Sequence, residues 1–493
     1  MSLARSFTAA LRRVLWILWL ICPLLARADD PFDSAGPFHS AYKLTLTPGT
    51  AEEFLGPFYS SKLSGDEREW GIHPLFSFST NSGIDSSQWD FVYPLVTYHR
   101  FGTQARWQFI QLFSFSAGNS LDETNAHRVT LFPIYFQERS PDPNRNYTAL
   151  VPFYGTVKHH LFFDEIHFVL LPLYAETRKK DVVTDHYLMP FFHLRHGDQL
   201  HGWKLWPLAG NEVKGTTFHT NSFEFVEEEG PYKKFFAAWP FFFEEKTEIG
   251  MTNWQNLHIF LPFYLLVRSA GHDTSVYLWP FFTKIDNRDL RYKEYGFVWP
   301  LFTVARGPGK TTTRVWPLFG HSQNDTLRSD FFLWPLYKYK RIHSPPLDKK
   351  STTLLFYFFT DLKEKNLETG QAFHRSDLWP LYSWRHELDG RERLQILSII
   401  EPVLYSNRGV ENNYSPLYAL WRAEKNPKTG SASQSLLWNL YRRETTPKTK
   451  KCSFLFGLFQ YEMGVEGRRW RLFYVPLGKS APSPGRDAAD SAK

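Results

Sequence analysis

Between Asp185 and Trp203 the chain reads DHYLMPFFHLRHGDQLHGW, which gathers His186, His193, His196 and His201 with Asp185 and Asp198. Imidazoles and carboxylates are the ligands of a divalent transition metal and the usual acid–base pair. Either chemistry needs the groups to converge from one face, with a second set of groups holding them. His193 and His196 lie an odd number of residues apart. On a strand they point to opposite faces. The spacing therefore argues for strand-end or loop histidines rather than a shared metal. The stretch GPGK at Gly307 to Lys310 lacks the spacing and the following helix of a phosphate loop, and reads as a turn. Glu227-Glu228-Glu229 and Lys179-Lys180 read as solvated turns, and acids are too scattered to pick out a glycosidase pair. The many aromatics could stack on sugar rings, but they sit centrally in apolar stretches, where a core or lipid-facing role is simpler. No residue set points to an enzyme, and none points to a metal or a cofactor.

The elements that carry these residues repeat. Trp299-Pro300-Leu301-Phe302 recurs as Trp316-Pro317-Leu318-Phe319. The same aromatic- or aliphatic-Pro-apolar unit is centred on Pro57, Pro74, Pro94, Pro133, Pro152, Pro172, Pro190, Pro207 and Pro240. It continues at Pro262, Pro280, Pro300, Pro317, Pro335, Pro380, Pro402, Pro416 and Pro476. Self-similarity at a fixed step marks a repeat architecture. Proline at every centre excludes helix, and the Phe, Tyr, Trp, Val and Thr around it favour strand. Polar turn signals such as SPDPNRN, IDNRD and SNRG fall between the copies.

Because the residues flanking each proline are the most apolar of the unit, the pattern predicts one continuous strand of about 10–13 residues, bent at the proline. Around Pro335 this places Phe331, Leu333, Tyr337 and Tyr339 on one face and Phe332, Trp334 and Leu336 on the other. Short turns imply antiparallel neighbours. The expected fold class is all-β: a large antiparallel up-and-down sheet of about 20–24 strands, closed into a barrel. A propeller and an open curved sheet are the competing closures.

Residues 1–28 hold Arg5, Arg12 and Arg13, then an apolar run and Ala26-Arg27-Ala28. They read as a secretory signal peptide. Residues 29–50 follow as an N-terminal extension, 51–478 as the repeat domain and 479–493 as a polar tail. Removing 1–28 takes away four arginines and no acid, so the formal net charge falls from +7 to +3. A nucleic-acid partner loses its electrostatic support. One cysteine, Cys452, remains, so no internal disulfide braces the fold.

Export, aromatic strands and polar turns together resemble bacterial outer-membrane β-barrel proteins, and the repeat is similar to bacterial sequences built on this aromatic-Pro-Leu-aromatic unit. The resemblance implies an outer-membrane location, lipid as the partner, and a non-enzymatic, porin-like role in solute passage or an envelope structural role. Without a membrane the same chain would be a periplasmic or extracellular scaffold binding glycan or other envelope proteins.

Overall fold

A computed structural model describes residues 34–35, 38–118, 126–220, 225–465 and 467–477. The stretches read as a signal peptide and a polar tail, 1–28 and 479–493, lie outside them. The chain is all-β, with one large antiparallel up-and-down sheet of more than forty strands. Most strands run five to eight residues. The expected 20–24 long strands are thus replaced by about twice as many short ones, and no closed barrel is found among the described residues. Strand pairing begins with Ser34–Ala35 against His39–Lys43, which pairs in turn with Thr50–Phe54, so part of 29–50 belongs to the sheet.

The reason lies at the prolines. Tyr292–Phe297 and Phe302–Arg306 are separate strands, and Phe297 pairs with Phe302 across a reversal at Trp299-Pro300. Thr311–Val315 and Phe319–Gln323 reverse in the same way at Trp316-Pro317. The continuous bent strand is therefore corrected to a hairpin. Turns normally advertise themselves with Gly, Asn or Asp, and none is present here. A turn with cis-proline at its third position needs none of them. The X–Pro bonds at Pro74, Pro133, Pro152, Pro172, Pro190, Pro207, Pro240, Pro262, Pro280, Pro300, Pro317 and Pro335 are cis. Ten of these turns, all but those at Pro262 and Pro317, close in the usual way, as where the Phe281 N–H donates to the Leu278 carbonyl at 2.8 Å.

The turns also bond to one another. The Trp299 N–H donates to the Pro280 carbonyl at 2.8 Å, the Trp279 N–H to Pro262 at 2.7 Å and the Trp334 N–H to Pro317 at 2.7 Å. Proline brings no N–H of its own to satisfy, while its carbonyl receives the neighbouring turn. Pro57, Pro402, Pro416 and Pro476 depart from this pattern. They lie in a 3-10 turn, an irregular turn, a short helix and a strand.

The other end of each hairpin behaves as the sequence reading expects. Gly307 to Lys310 form the turn between Phe302–Arg306 and Thr311–Val315, and Val304 pairs with Thr313 and Ala305 with Thr312. Hence apolar proline turns collect along one rim of the sheet and polar turns along the other.

Two compact units divide the chain: Pro94–Trp379, and Met1–Tyr93 together with Pro380–Lys493. In the first, strands pair in chain order. The exception is a separate hairpin, Thr217–Thr220 with Val226–Glu229, past which Ala209–Lys214 pairs directly with Tyr232–Ala237. A small apolar core there contains Tyr147, Ala149, Val157, Phe168 and Ala175. In the second unit, Glu392–Ile396 pairs directly with Trp421–Asn426. The segment between them leaves the sheet and carries the short helices Arg408–Asn413 and Ser415–Tyr418.

Candidate functional site: the proline rim and the charged interior

The residue beside each proline turn is apolar in strand after strand. Cross-strand register links Phe260, Tyr264, Tyr277, Phe282, Phe297, Phe302, Val315, Phe319, Phe332, Tyr337, Leu354, Phe359 and Leu378 in one unbroken row. Rings meet along it, Phe282 with Phe297 at 5.6 Å and Phe297 with Phe302 at 6.1 Å. Such pairs stabilise a sheet by about 0.2–1 kcal/mol each. Yet the row and its turns stay exposed: Phe332 by 59%, Trp299 by 54% and Trp279 by 52%. The opposite face is small and polar, and there Thr303, Ala305 and Thr312 are buried. A water-soluble sheet buries its aromatics and exposes its threonines, so this sheet is inverted.

The apolar zone is shallow. Two residues along from the row, on the same face, stand Asp330 and Asp361, with Asp185 and Glu244 placed likewise beside Tyr187 and Phe242, while Leu266, Tyr295 and Val304 hold that position on other strands. Two residues rise about 7 Å. On the strands that carry those carboxylates, the turn and one row together make an apolar band of about 10 Å before charge appears.

The histidines divide as their spacing requires. His196 pairs with His201, and His186 with His193 on the other face. The rings of His186 and His193 meet edge-on at 4.5 Å. Burial and the neighbouring His193 pull His186 down to about 4, and burial lowers His193. Both are neutral at pH 7. Their cross-strand neighbours are Ala175 and Lys204, which supply no third ligand and add a cation, so the pair is not a metal centre.

Asp181, Asp198 and His219 bring ligand atoms within 4.8 Å of one another, a grouping the sequence spacing does not reveal. The buried Lys214 ammonium already occupies that place, 3.0 Å from Asp198 and 2.8 Å from Glu229. Burial raises the Asp198 carboxyl, but Lys214 outweighs it and holds the group below its ordinary value. The cluster ties the extra hairpin to the main sheet. Glu229 is therefore an anchor rather than part of a free acidic turn. Lys310 of the GPGK turn is likewise engaged, by Glu294 at 2.6 Å.

The unit of residues 1–93 and 380–493 has a charged interior with no single sequence signature. Arg422, Ser435 and Arg442 are successive rungs of adjacent strands, and Glu424, Ser433 and Glu444 form the next rung. Each arginine Nε donates to the glutamate two residues on, at 2.8 and 2.7 Å. The Tyr42 ring lies 3.5 Å from the Arg442 guanidinium, and its hydroxyl donates to Glu53 at 2.5 Å. Burial and Glu53 push the Tyr42 hydroxyl well above its ordinary value.

The segment between Ile396 and Trp421 covers this interior. Glu411 accepts from Arg385 at 2.6 Å and lies 3.8 Å from Arg393. Burial raises the Glu411 carboxyl, and the two guanidinium groups overcome that and lower it. Tyr414 and Asn407 reach Tyr93, and Arg408 reaches Glu67 and Glu69. The segment thus fastens the first strands of the chain to the last. The alternating Arg-x-Glu in RAE and RRE was the available signal, at Arg422 and Arg442, but charged alternation is equally the mark of a solvated strand face. No model of a known protein family matches the chain, and no curated protein matches it.

Proposed function

We propose that this is a non-enzymatic protein of the bacterial envelope, seated on a membrane by its proline rim. The observation that carries the reading is the unbroken apolar row beside the proline turns, mostly aromatic and partly exposed, with carboxylates about 7 Å along at Asp330 and Asp361. A band of about 10 Å matches the depth to which interfacial elements enter the headgroup–acyl boundary, about 5–10 Å. It falls well short of the roughly 25 Å apolar band of a membrane-spanning barrel. Strands of six residues rise only about 20 Å even untilted. The rim therefore enters one leaflet, and the role is structural rather than a channel through the bilayer. Trp279, Trp299, Trp316 and Trp334 on successive turns suit the interface, where indole rings concentrate.

Flotation with phospholipid vesicles tests the reading, combined with quenching of tryptophan fluorescence by lipids brominated near the headgroup or near the chain end. The expected result is co-flotation with stronger quenching by the shallow probe. Stronger quenching by the deep probe restores the spanning wall. Failure to float leaves the exported scaffold that binds glycan or protein.

A further inference from the structure

A cavity of about 90 Å³ lies inside the unit of residues 1–93 and 380–493. That is room for several waters or one small oxyanion. Its walls come from the first strands of the chain and from Trp421–Asn426, Ser431–Leu436 and Tyr441–Thr445. Arg422, Arg442 and Lys62 line it, against the carboxylates of Glu53 and Glu424.

The carboxylates are spoken for. Glu53 accepts from Tyr42 at 2.5 Å and from Asn439 at 2.6 Å, and Glu424 accepts from Arg422 at 2.8 Å. The donors are not exhausted. Arg422 gives its Nε to Glu424, and its two terminal nitrogens meet no protein acceptor among the described residues. Arg442 is 7% exposed; it gives Nε to Glu444 and Nη1 to Asn439, and its second terminal nitrogen is unpartnered there. Among the described residues the Lys62 ammonium has only Glu69, at 3.6 Å. Ser435 is the rung between the two arginines. The Arg422 side chain is 29% and the Arg442 side chain 9% exposed, so their free N–H groups remain available at the cavity, and carboxylate or phosphate oxygens are the acceptors a guanidinium fork fits.

We infer that this cavity binds a small phosphate-type oxyanion between Arg422, Arg442 and Lys62, with Ser435 at its floor. Two sources share that chemistry, free phosphate and the phosphomonoester head of a lipid. The site does not depend on the lipid-seating role of the proline rim.

The test uses the purified full chain and follows thermal unfolding. Sodium phosphate is titrated against sodium chloride at matched ionic strength, because phosphate stabilises proteins nonspecifically at high concentration. In a parallel arm the chain meets vesicles with and without phosphatidic acid. Removing Arg442 endangers the fold, so the variants are Lys62→Met and Ser435→Asp. The expected result is a saturable rise in melting temperature in the low-millimolar range, in one arm or both. A response to soluble phosphate alone identifies a free solute; one confined to phosphatidic acid identifies a headgroup. Lys62→Met should weaken the apparent affinity at least tenfold. Ser435→Asp should abolish the response while keeping the strand content. No saturable response in either arm, or an unchanged response in both variants, overturns the site.

Discussion

Single residues decide how the fold responds to pH. Burial, aided by Lys62, lowers His73 to about 4, and burial with His193 does the same to His186. An unfolded histidine titrates near 6.5. Between about 6.5 and 4 the unfolded chain therefore binds more protons, and stability falls as pH falls through that window. Below it the carboxylates of Glu411 and Glu401, both held under their ordinary values, take over. Their contribution is present above the unfolded carboxylate range and is lost as pH drops past their folded values. A melting-temperature profile should decline from pH 6.5 downward, and His73→Gln should flatten its first part. Glu411→Ala should do more at pH 7. It strands Arg385 and Arg393 without their shared anion, and breaking a buried pair costs about 3–5 kcal/mol. Because 27% of the Glu411 side chain is exposed, the lower end is expected in urea unfolding, with the loss falling on the unit that contains residues 380–493.

Within the elements, the close approaches are between neighbouring strands. Gly320 faces Phe331, and a Cβ on Gly320 would stand 2.1 Å from the ring. The aromatic ring covers the bare glycine and fills the space a side chain would need. Gly320→Ala should destabilise by about 1–3 kcal/mol through overpacking. Placed on Phe331→Ala, the same change should be nearly neutral, a coupling that a double-mutant cycle in urea measures. The strand character of this region was open to reading, as were the Gly307–Lys310 turn and the register of Thr311–Thr313, because β-branched residues and glycine–proline punctuation state them locally. The reversal at Trp299-Pro300 was hidden. Its apolar neighbours look like mid-strand residues, since the usual correlation of turns with polarity assumes that turns face water. The same error exchanged partners within the unit: Phe331 and Tyr337 were assigned one face, whereas Phe332 pairs with Tyr337 and Phe331 with Lys338. Of the charged interior almost nothing was legible, because Tyr42 and Arg442 are brought together only by tertiary folding.

On the scale of the whole molecule, the rim sets how the protein should meet lipid. Leu333 and Leu336 sit in one proline turn and are similarly exposed, 41% and 43%. Their replacement by arginine should therefore weaken vesicle binding equally, not in the ranked order that opposite strand faces imply. Near an interface one arginine costs about 0–1 kcal/mol, so a single substitution should lower partitioning only several-fold. Arginine placed in four successive turns should abolish flotation. The same residues in polar turns, for example at Asp325, should leave it unchanged.

The chain of hydrogen bonds from one proline turn to the next bears on how this protein can change in length. Many turns offer their neighbours the same donor and acceptor, with the Trp316 N–H meeting the Leu301 carbonyl instead of Pro300, so neighbours are similar parts. Excising residues 299–315 would join Val298 to Trp316, rebuild an intact Val-Trp-Pro-Leu-Phe junction and bring Tyr292–Phe297 beside Phe319–Gln323 in register. Such a chain should fold with unchanged strand content per residue by circular dichroism. Cutting only 299–306 should not, because one strand is then lost and every later strand arrives upside down. Growth and shrinkage by tandem duplication would thus proceed in steps of two strands, and a lineage could alter the breadth of its sheet without redesigning a single contact.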